Sequence, residues 1–314
     1  LMLPYWITSQ KCYESQENLI NQHFPSIHLG IRPKSPGSIV RSNILNEFRK
    51  YLEIDLAQNN VSVINHLCKL NIILKHIRKP IDQITKEDIR DFLSLANQRY
   101  SIQTYNCFIK TIRRFFRDFL GRSDLVSSFK FKTVPFTPKV NILSREDLIR
   151  FYNAIEHPIV KMVFHMYCVT GLRRNDVLFL MLNELDKDRR MIVKNNNSRT
   201  KHRWITFYNE ELAEQLHPYL ANRQDNNPRV FPIDKYKTFQ RYWKLAQTKT
   251  GLHITPKDLR DWFTNEMLRL GVSESYIDAF LGHVPKSILS RHYIIYDPVK
   301  LKEVYEKANI KLFP

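Results

Sequence analysis

Four short segments in the second half of this 314-residue chain carry side chains that could grip a phosphodiester and attack it. They are Thr170-Gly171-Leu172-Arg173, Lys257-Asp258-Leu259-Arg260, Leu281-Gly282-His283 and Tyr293. Two guanidinium groups can share one phosphate fork-wise, because each is planar, permanently charged and matched to a pair of oxygens. A lysine and a histidine beside them add charge and hydrogen-bond donors, and the phenol supplies an oxygen nucleophile. Taken singly, Arg173 also reads as a domain salt bridge and His283 as a capping core histidine. Their joint occurrence, in this order, favours a site.

The elements around these residues must place them together. Thr255-Pro256-Lys257-Asp258 offers a capping Thr, a Pro at the first helical position and an acid at the third, and Gly271 closes the helix after Leu270. Lys257 and Arg260 then share one face at a helix N-terminus, where the dipole also favours an anion. Arg173 falls in a helix-like run from His157 to Leu182 interrupted at Gly171, with Asp176 as the partner that would fix its guanidinium. Ser144 followed by Asp147 marks a helix start just after Leu143. The exception to helical spacing is Arg190 to Phe207, where Met191-Ile192-Val193 and Trp204-Ile205-Thr206-Phe207 flank a polar Asn195-Asn196-Asn197-Ser198 turn and predict one β-hairpin.

The first half reads as a small all-helical domain. Ile44, Leu45, Phe48 and Leu52 form one stripe, Leu67, Leu70, Ile73 and Leu74 another, and Thr85 with Glu87 and Asp88 opens a third helix. In its last helix Tyr105, Phe108, Ile109, Ile112, Phe116 and Phe119 share a face, while Lys110, Arg113, Arg114 and Arg117 line another. That basic face reads either as solvated surface or as a phosphate-facing strip. It continues into a connector containing Lys130, Lys132, Pro135 and Pro138, which suits a linker tracking a nucleic-acid backbone. The expected divisions are an N-terminal arm over 1–37, a helical domain over 38–121, a basic linker over 122–142 and a second domain over 143–314.

Composition points the same way. The 49 Lys and Arg against 31 Asp and Glu leave a formal net charge of +18, which favours a polyanion over an acidic small molecule. Solubility is the plainer reading of such an excess. Cys12, Cys68, Cys107 and Cys168 are widely separated, with no C-x-x-C pair, and read as buried thiols in a reducing compartment. With no apolar run long enough for a membrane span and no secretory signal pattern, the expectation is an intracellular protein.

With these residues in place, the sequence resembles the tyrosine recombinases, the family of phage integrases and Xer-type resolvases. Thr170-Gly171-Leu172-Arg173 with Asp176 is similar to the family's first arginine box, and Pro256-Lys257-Asp258-Leu259-Arg260 to the second. Leu281-Gly282-His283 matches its Leu-Gly-His, and His292-Tyr293 sits where the nucleophile is expected. In the first half, Ile84-Thr85-Lys86-Glu87-Asp88-Ile89 and the basic helix ending at Gly121 resemble the family's core-binding module. The resemblance implies a mainly α fold with a small β-hairpin or sheet. It implies double-stranded DNA as partner, a homotetramer in the synaptic complex, and neither cofactor, metal nor membrane. Tyr293 would attack a DNA phosphodiester, leaving a 3′-phosphotyrosyl link and a free 5′-hydroxyl, and His283 would donate to a non-bridging oxygen.

The chain departs from the family pattern in three places. Lys257 stands where His is commonest. The general-acid lysine belongs in the hairpin, where Lys194, Arg199 and Lys201 are all candidates and Lys201 is favoured. His283 to Tyr293 is one residue longer than usual, so Tyr296 is the reserve nucleophile, while Tyr305 reads as packing in a terminal helix. That helix, within Pro298 to Leu312, could pack on its own domain or on a neighbouring protomer. The rival functions are a type IB topoisomerase, a catalytically silent DNA-binding protein and a metal nuclease. A mobile-element integrase fits the unusual N-terminal arm better than a housekeeping resolvase.

Overall fold

Side-chain caps set where the helices begin. In the computed structural model, which describes residues 36–137, 143–194, 204–233, 236–283 and 297–313, the Asn59 side chain accepts from the Ser62 amide at 2.9 Å. Thr85 and Asp88 form a reciprocal capping box, as do Thr255 and Asp258, and Ser144 accepts from the Asp147 amide at 3.0 Å. Each cap satisfies amides that would otherwise lack partners and contributes about 1 kcal/mol.

The chain forms two compact units, 1–138 and 139–314. In the first, α1 (Pro36–Lys50) runs into a π-helical turn at Tyr51–Asp55, and α2 (Asn60–Ile77), α3 (Lys86–Arg99) and α4 (Ile102–Ile112) follow. The last helix continues as a π-helix over Arg113–Phe119. Phe115, three residues after Ile112 and seven after Phe108, falls at the edge of the same apolar face as Phe116. Phe115 and Phe116 are both fully buried, with ring centroids 5.0 Å apart. Phe48, Leu70, Ile73, Phe92, Phe108 and Ile112 complete this core. Inside it, His66 Nδ1 lies 3.0 Å from the Thr111 hydroxyl. Against the expectation of buried thiols, Cys107 is exposed, on the face of α4 away from Phe108 and Ile112, and Cys68 is half-buried. Arg122 donates to the carbonyls of Asp82 and Ile84 at 3.2 and 3.1 Å, and Asn106 makes paired 2.8 Å bonds to the backbone of Lys132. The segment after α4 is therefore tied onto the unit as far as Lys132.

The second unit is built around α6 (Pro158–Thr170), whose residues Met162–Thr170 are all buried. Around it lie α5 (Arg145–Ala154), α7 (Arg174–Leu178), α8 (Glu210–Ala221), α9 (Tyr236–Thr250), α10 (Pro256–Arg269), α11 (Glu274–Leu281) and α12 (Pro298–Ala308). The β-prone runs form β2 (Met191–Lys194) and β3 (Trp204–Phe207), paired antiparallel with Met191 opposite Phe207 and Lys194 opposite Trp204. A further strand, β1 (Leu185–Asp186), pairs with β2 and makes a three-stranded sheet in place of a lone hairpin. Two residues are too few to show an alternating pattern, so β1 carries no sequence signal. The fold is mainly α with a small sheet, as expected.

The C-terminal segment packs on its own unit. Leu301, Tyr305, Ala308, Ile310 and Leu312 are buried, and the Tyr305 hydroxyl donates to the Val169 carbonyl at 2.7 Å. The helix stops at Ala308, with Asn309 in the left-handed region, yet the chain beyond stays docked. Asn209 donates to the Ile310 carbonyl at 3.0 Å, and the Glu211 carboxylate accepts from the Leu312 amide at 2.9 Å. Among the described residues no helix is long and apolar enough to cross a membrane.

Candidate active site

Gly171 ends α6 with a left-handed φ of 62°. A Cβ there would meet the Phe263 ring at 2.4 Å and Leu281 at 2.8 Å, so only glycine allows α10 and α11 to close on this turn. The next two residues bring Arg173 to the N-cap position of α7. Its Nη1 lies 3.8 Å from Asp176 Oδ2, an ion pair too long for a hydrogen bond. Neither atom has a hydrogen-bond partner among the described residues. Asp176 thus steers Arg173 without consuming its donors. The Trp204 ring supports the same guanidinium from a centroid distance of 5.7 Å.

Arg260, one turn into α10, joins the other two segments. Its Nη1 donates to the Gly171 carbonyl, and Nη2 donates to the Leu281 carbonyl at 2.9 Å and lies 3.0 Å from His283 Nε2. One guanidinium therefore staples the Gly171 turn to the Leu281-Gly282-His283 turn, across 89 and 21 residues of sequence. Burial, and then the nearby Arg173 charge, pull the Arg260 pKa down to about 10, partly offset by Asp176, Asp261 and Asp278. It stays protonated at neutral pH. A cation that is poorly solvated and faces a second cation is stabilised by an incoming anion more than an exposed one is.

His283 follows Gly282, whose φ of +64° ends α11. A Cβ on Gly282 would lie 2.5 Å from the Trp204 ring, so the glycine is required both by backbone conformation and by that indole. The imidazole is held between Asp278 Oδ1, 2.7 Å from Nδ1, and Arg260 Nη2. Arg173, Arg260 and His283 are thus brought together, with Asp176, Trp204 and Asp278 as supports. Trp204 and Asp278 carried no site signal in sequence: the first read as a strand residue, and the second lies five residues before the histidine in a helix with no motif.

The remaining candidates divide. Lys257 sits in the first turn of α10 and is exposed. Lys194 is buried on β2 with its ammonium 2.6 Å from Glu184 Oε2, and is held in an ion pair. Lys201, Arg199, Tyr293 and Tyr296 lie outside the described residues. Tyr305 is buried, and that burial pushes its hydroxyl well above the ordinary phenol range. Within the first unit, Lys110, Arg117 and Lys130 are exposed. Arg114 and Arg117 share Asp118, at 3.1 and 2.7 Å. Arg113 donates to the Phe129 carbonyl and lies over the Phe131 ring, and Lys132 lies over Tyr105.

The sequence pattern of the phage integrase family matches residues 142–298, half of the chain and all four chemical segments. The chain belongs to the phage integrase family, the tyrosine recombinases. The tyrosine recombinase XerA of Pyrococcus horikoshii is 24% identical over 288 residues, covering 88% of this chain and 97% of its own length. XerA of Saccharolobus solfataricus is 24% identical over 255 residues, covering 75% and 82%. Among solved structures, a lambda integrase tetramer bound to a Holliday junction aligns with a TM-score of 0.63 at 15% identity, over 91% of this chain and 89% of that one. A lambda integrase dimer bound to a COC' core site aligns at 0.62 and 15% identity, over 89% and 85%. At these identities the structural likeness speaks for the fold.

Proposed function

We propose that this tyrosine recombinase performs site-specific cleavage and rejoining of duplex DNA, with Arg173 and Arg260 gripping the scissile phosphate. The observation that carries the reading is the Arg260 staple, which ties the two loops bearing Arg173 and His283 to one guanidinium. In this reading Arg173 and Arg260 direct their remaining N–H groups at the non-bridging oxygens, and His283 donates to one of them. Lys257 adds charge from the helix N-terminus. Tyr293 supplies the nucleophile, with Tyr296 in reserve. As its Oη gives up its proton to water and bonds to phosphorus, the P–O5′ bond breaks, and the leaving 5′ oxygen takes a proton from Lys201. Lys194 is the weaker acid candidate because Glu184 engages its ammonium. One phosphoester replaces another, so no external energy source enters the balance.

The donors are preorganised before the substrate arrives, which is the arrangement that stabilises developing phosphorane charge. Lys110, Arg113, Arg114, Arg117, Lys130 and Lys132 contribute contacts to the DNA backbone, which set position and salt dependence but carry no sequence readout. The lambda integrase structures hold a core site and a Holliday junction, and we extend that to this chain as a tetramer on paired duplexes.

The test is a nicked suicide duplex from which the cleaved 5′ fragment diffuses away, incubated in EDTA and resolved on a denaturing gel. Wild type and Tyr296→Phe should form a covalent protein-DNA band, and Tyr293→Phe should not. DNA binding without any covalent band in wild type would reduce the protein to a binding module, and a band that EDTA abolishes would point to a metal nuclease.

A further inference from the structure

We infer that Asp278 is a positioning residue for the cleavage reaction, setting the tautomer and ring plane of His283 so that Nε2 faces the scissile phosphate beside Arg260. This deepens the recombinase reading and rests on it. The geometry follows from how α11 ends. With Gly282 left-handed, the chain folds back, the His283 amide donates to the Asp278 carbonyl at 2.9 Å, and the imidazole Nδ1 comes within 2.7 Å of the Asp278 carboxylate. Two contacts to one residue orient the ring from both its backbone and its side chain.

The opposite edge decides the hydrogen. Arg260 Nη2 lies 3.0 Å from Nε2, and a guanidinium has donors only. In this contact Nε2 must accept, so the neutral ring carries its hydrogen on Nδ1, directed at Asp278. An acidic partner on one nitrogen is the ordinary means by which a protein selects a histidine tautomer. Phosphate oxygens are acceptors only and compete for the Arg260 donor. Once that donor turns to phosphate, Nε2 takes a proton from solvent and donates it to a non-bridging oxygen, while Nδ1–H stays on Asp278. Throughout, the ring need not rotate, and the Asp278 carboxylate balances the imidazolium charge. The other charged groups of this cluster are Arg260 and Asp261 from α10 and Arg173 and Asp176 from the turn and helix after Gly171. Asp278 and Arg260 hydrogen-bond the imidazole.

Asp278→Asn keeps the shape and removes the charge, and its amide can rotate to donate to Nδ1, which permits the wrong tautomer. Asp278→Glu restores a carboxylate. The first readout is the 15N spectrum of the His283 imidazole in the full-length protein, and the second is the single-turnover cleavage rate of the suicide duplex as a function of pH. Wild type should show the Nδ1–H tautomer. Asp278→Asn should show a mixture, with cleavage lowered by ~10–100-fold, a displaced pH–rate profile and unchanged duplex affinity, and Asp278→Glu should recover part of the rate. A purely structural role would lower thermal stability and leave the tautomer and pH profile in place. If Asp278→Asn keeps both the wild-type tautomer and the wild-type profile, the inference is wrong while the recombinase reading survives. A wild type that forms no covalent adduct at any pH would sink the recombinase reading and take this inference with it.

Discussion

The two units use the same cations in opposite ways. Along the last helix of the first unit and the connector after it, Arg114 and Arg117 share the one carboxylate of Asp118, Arg113 and Lys132 lie on aromatic rings, and Lys110 and Lys130 stand in solvent. Near the Gly171 turn of the second unit, Arg260 is held by carbonyl oxygens and an imidazole, none of which cancels its charge. Arg173 has an acidic neighbour too far away to occupy its Nη1 donor. Surface cations with carboxylate partners suit reversible, screened contact with a polyanion. Cations oriented without a carboxylate in hydrogen-bond reach keep their field for one bound group. The contrast is between holding DNA and acting on it.

Arg260→Lys tests this contrast most severely, since an ammonium keeps the charge but cannot bridge Gly171, Leu281 and His283 together. Cleavage of a suicide duplex should fall by ~10²–10³ with little change in duplex affinity. A wild-type rate would mean that charge alone, as in the first unit, is enough. Gly282→Ala should follow, losing about 1–3 kcal/mol through its positive φ and the collision with Trp204. Calorimetry would show a lower Tm, accompanied by slower cleavage.

The first unit has its own signature in His66. Burial, and then the charges of Lys110, Arg114 and Lys69, lower its pKa from 6.5 to about 4. Between those values the unfolded chain binds the proton and the folded chain does not. Stability therefore rises with pH across about 4 to 6.5 and levels off above. Hydrogen exchange at the amides of α2, measured in wild type and His66→Gln across this range, should show a steeper pH dependence in wild type. Equal slopes would remove His66 as the source. The smallest effect is expected of Arg117→Ala, which should leave single-turnover cleavage intact and lower the salt dependence of DNA binding by about one unit of slope. A large cleavage defect there would erase the distinction between the units.

Much of this was legible from neighbouring residues. The Thr255/Asp258 and Thr85/Asp88 boxes, the Ser144 cap and the Gly171 break appear where the local pattern placed them. The full width of an apolar face was not: the stripe expected for the last helix omits Phe115, which lies at its edge, seven residues after Phe108, and is fully buried. Lys194 reads in sequence as one of three candidate hairpin cations, and nothing there shows that Glu184, ten residues earlier, engages its ammonium. Arg113 looked like a free basic side chain until it met the Phe129 carbonyl. Asp278 was invisible because its role depends on a ring that Gly282 turns back toward it.

What the sequence by itself determined is the set of elements and the order of the chemical boxes, since caps, glycine stops and apolar stripes act over about one helical turn. Only the tertiary structure decided which charges remain available. That depends on what faces each side chain across the fold: Asp118 for Arg114 and Arg117, Glu184 for Lys194, and the Gly171 and Leu281 carbonyls for Arg260. An arginine has the same residue type whether its partner cancels its charge or aims it, and the difference is made by packing.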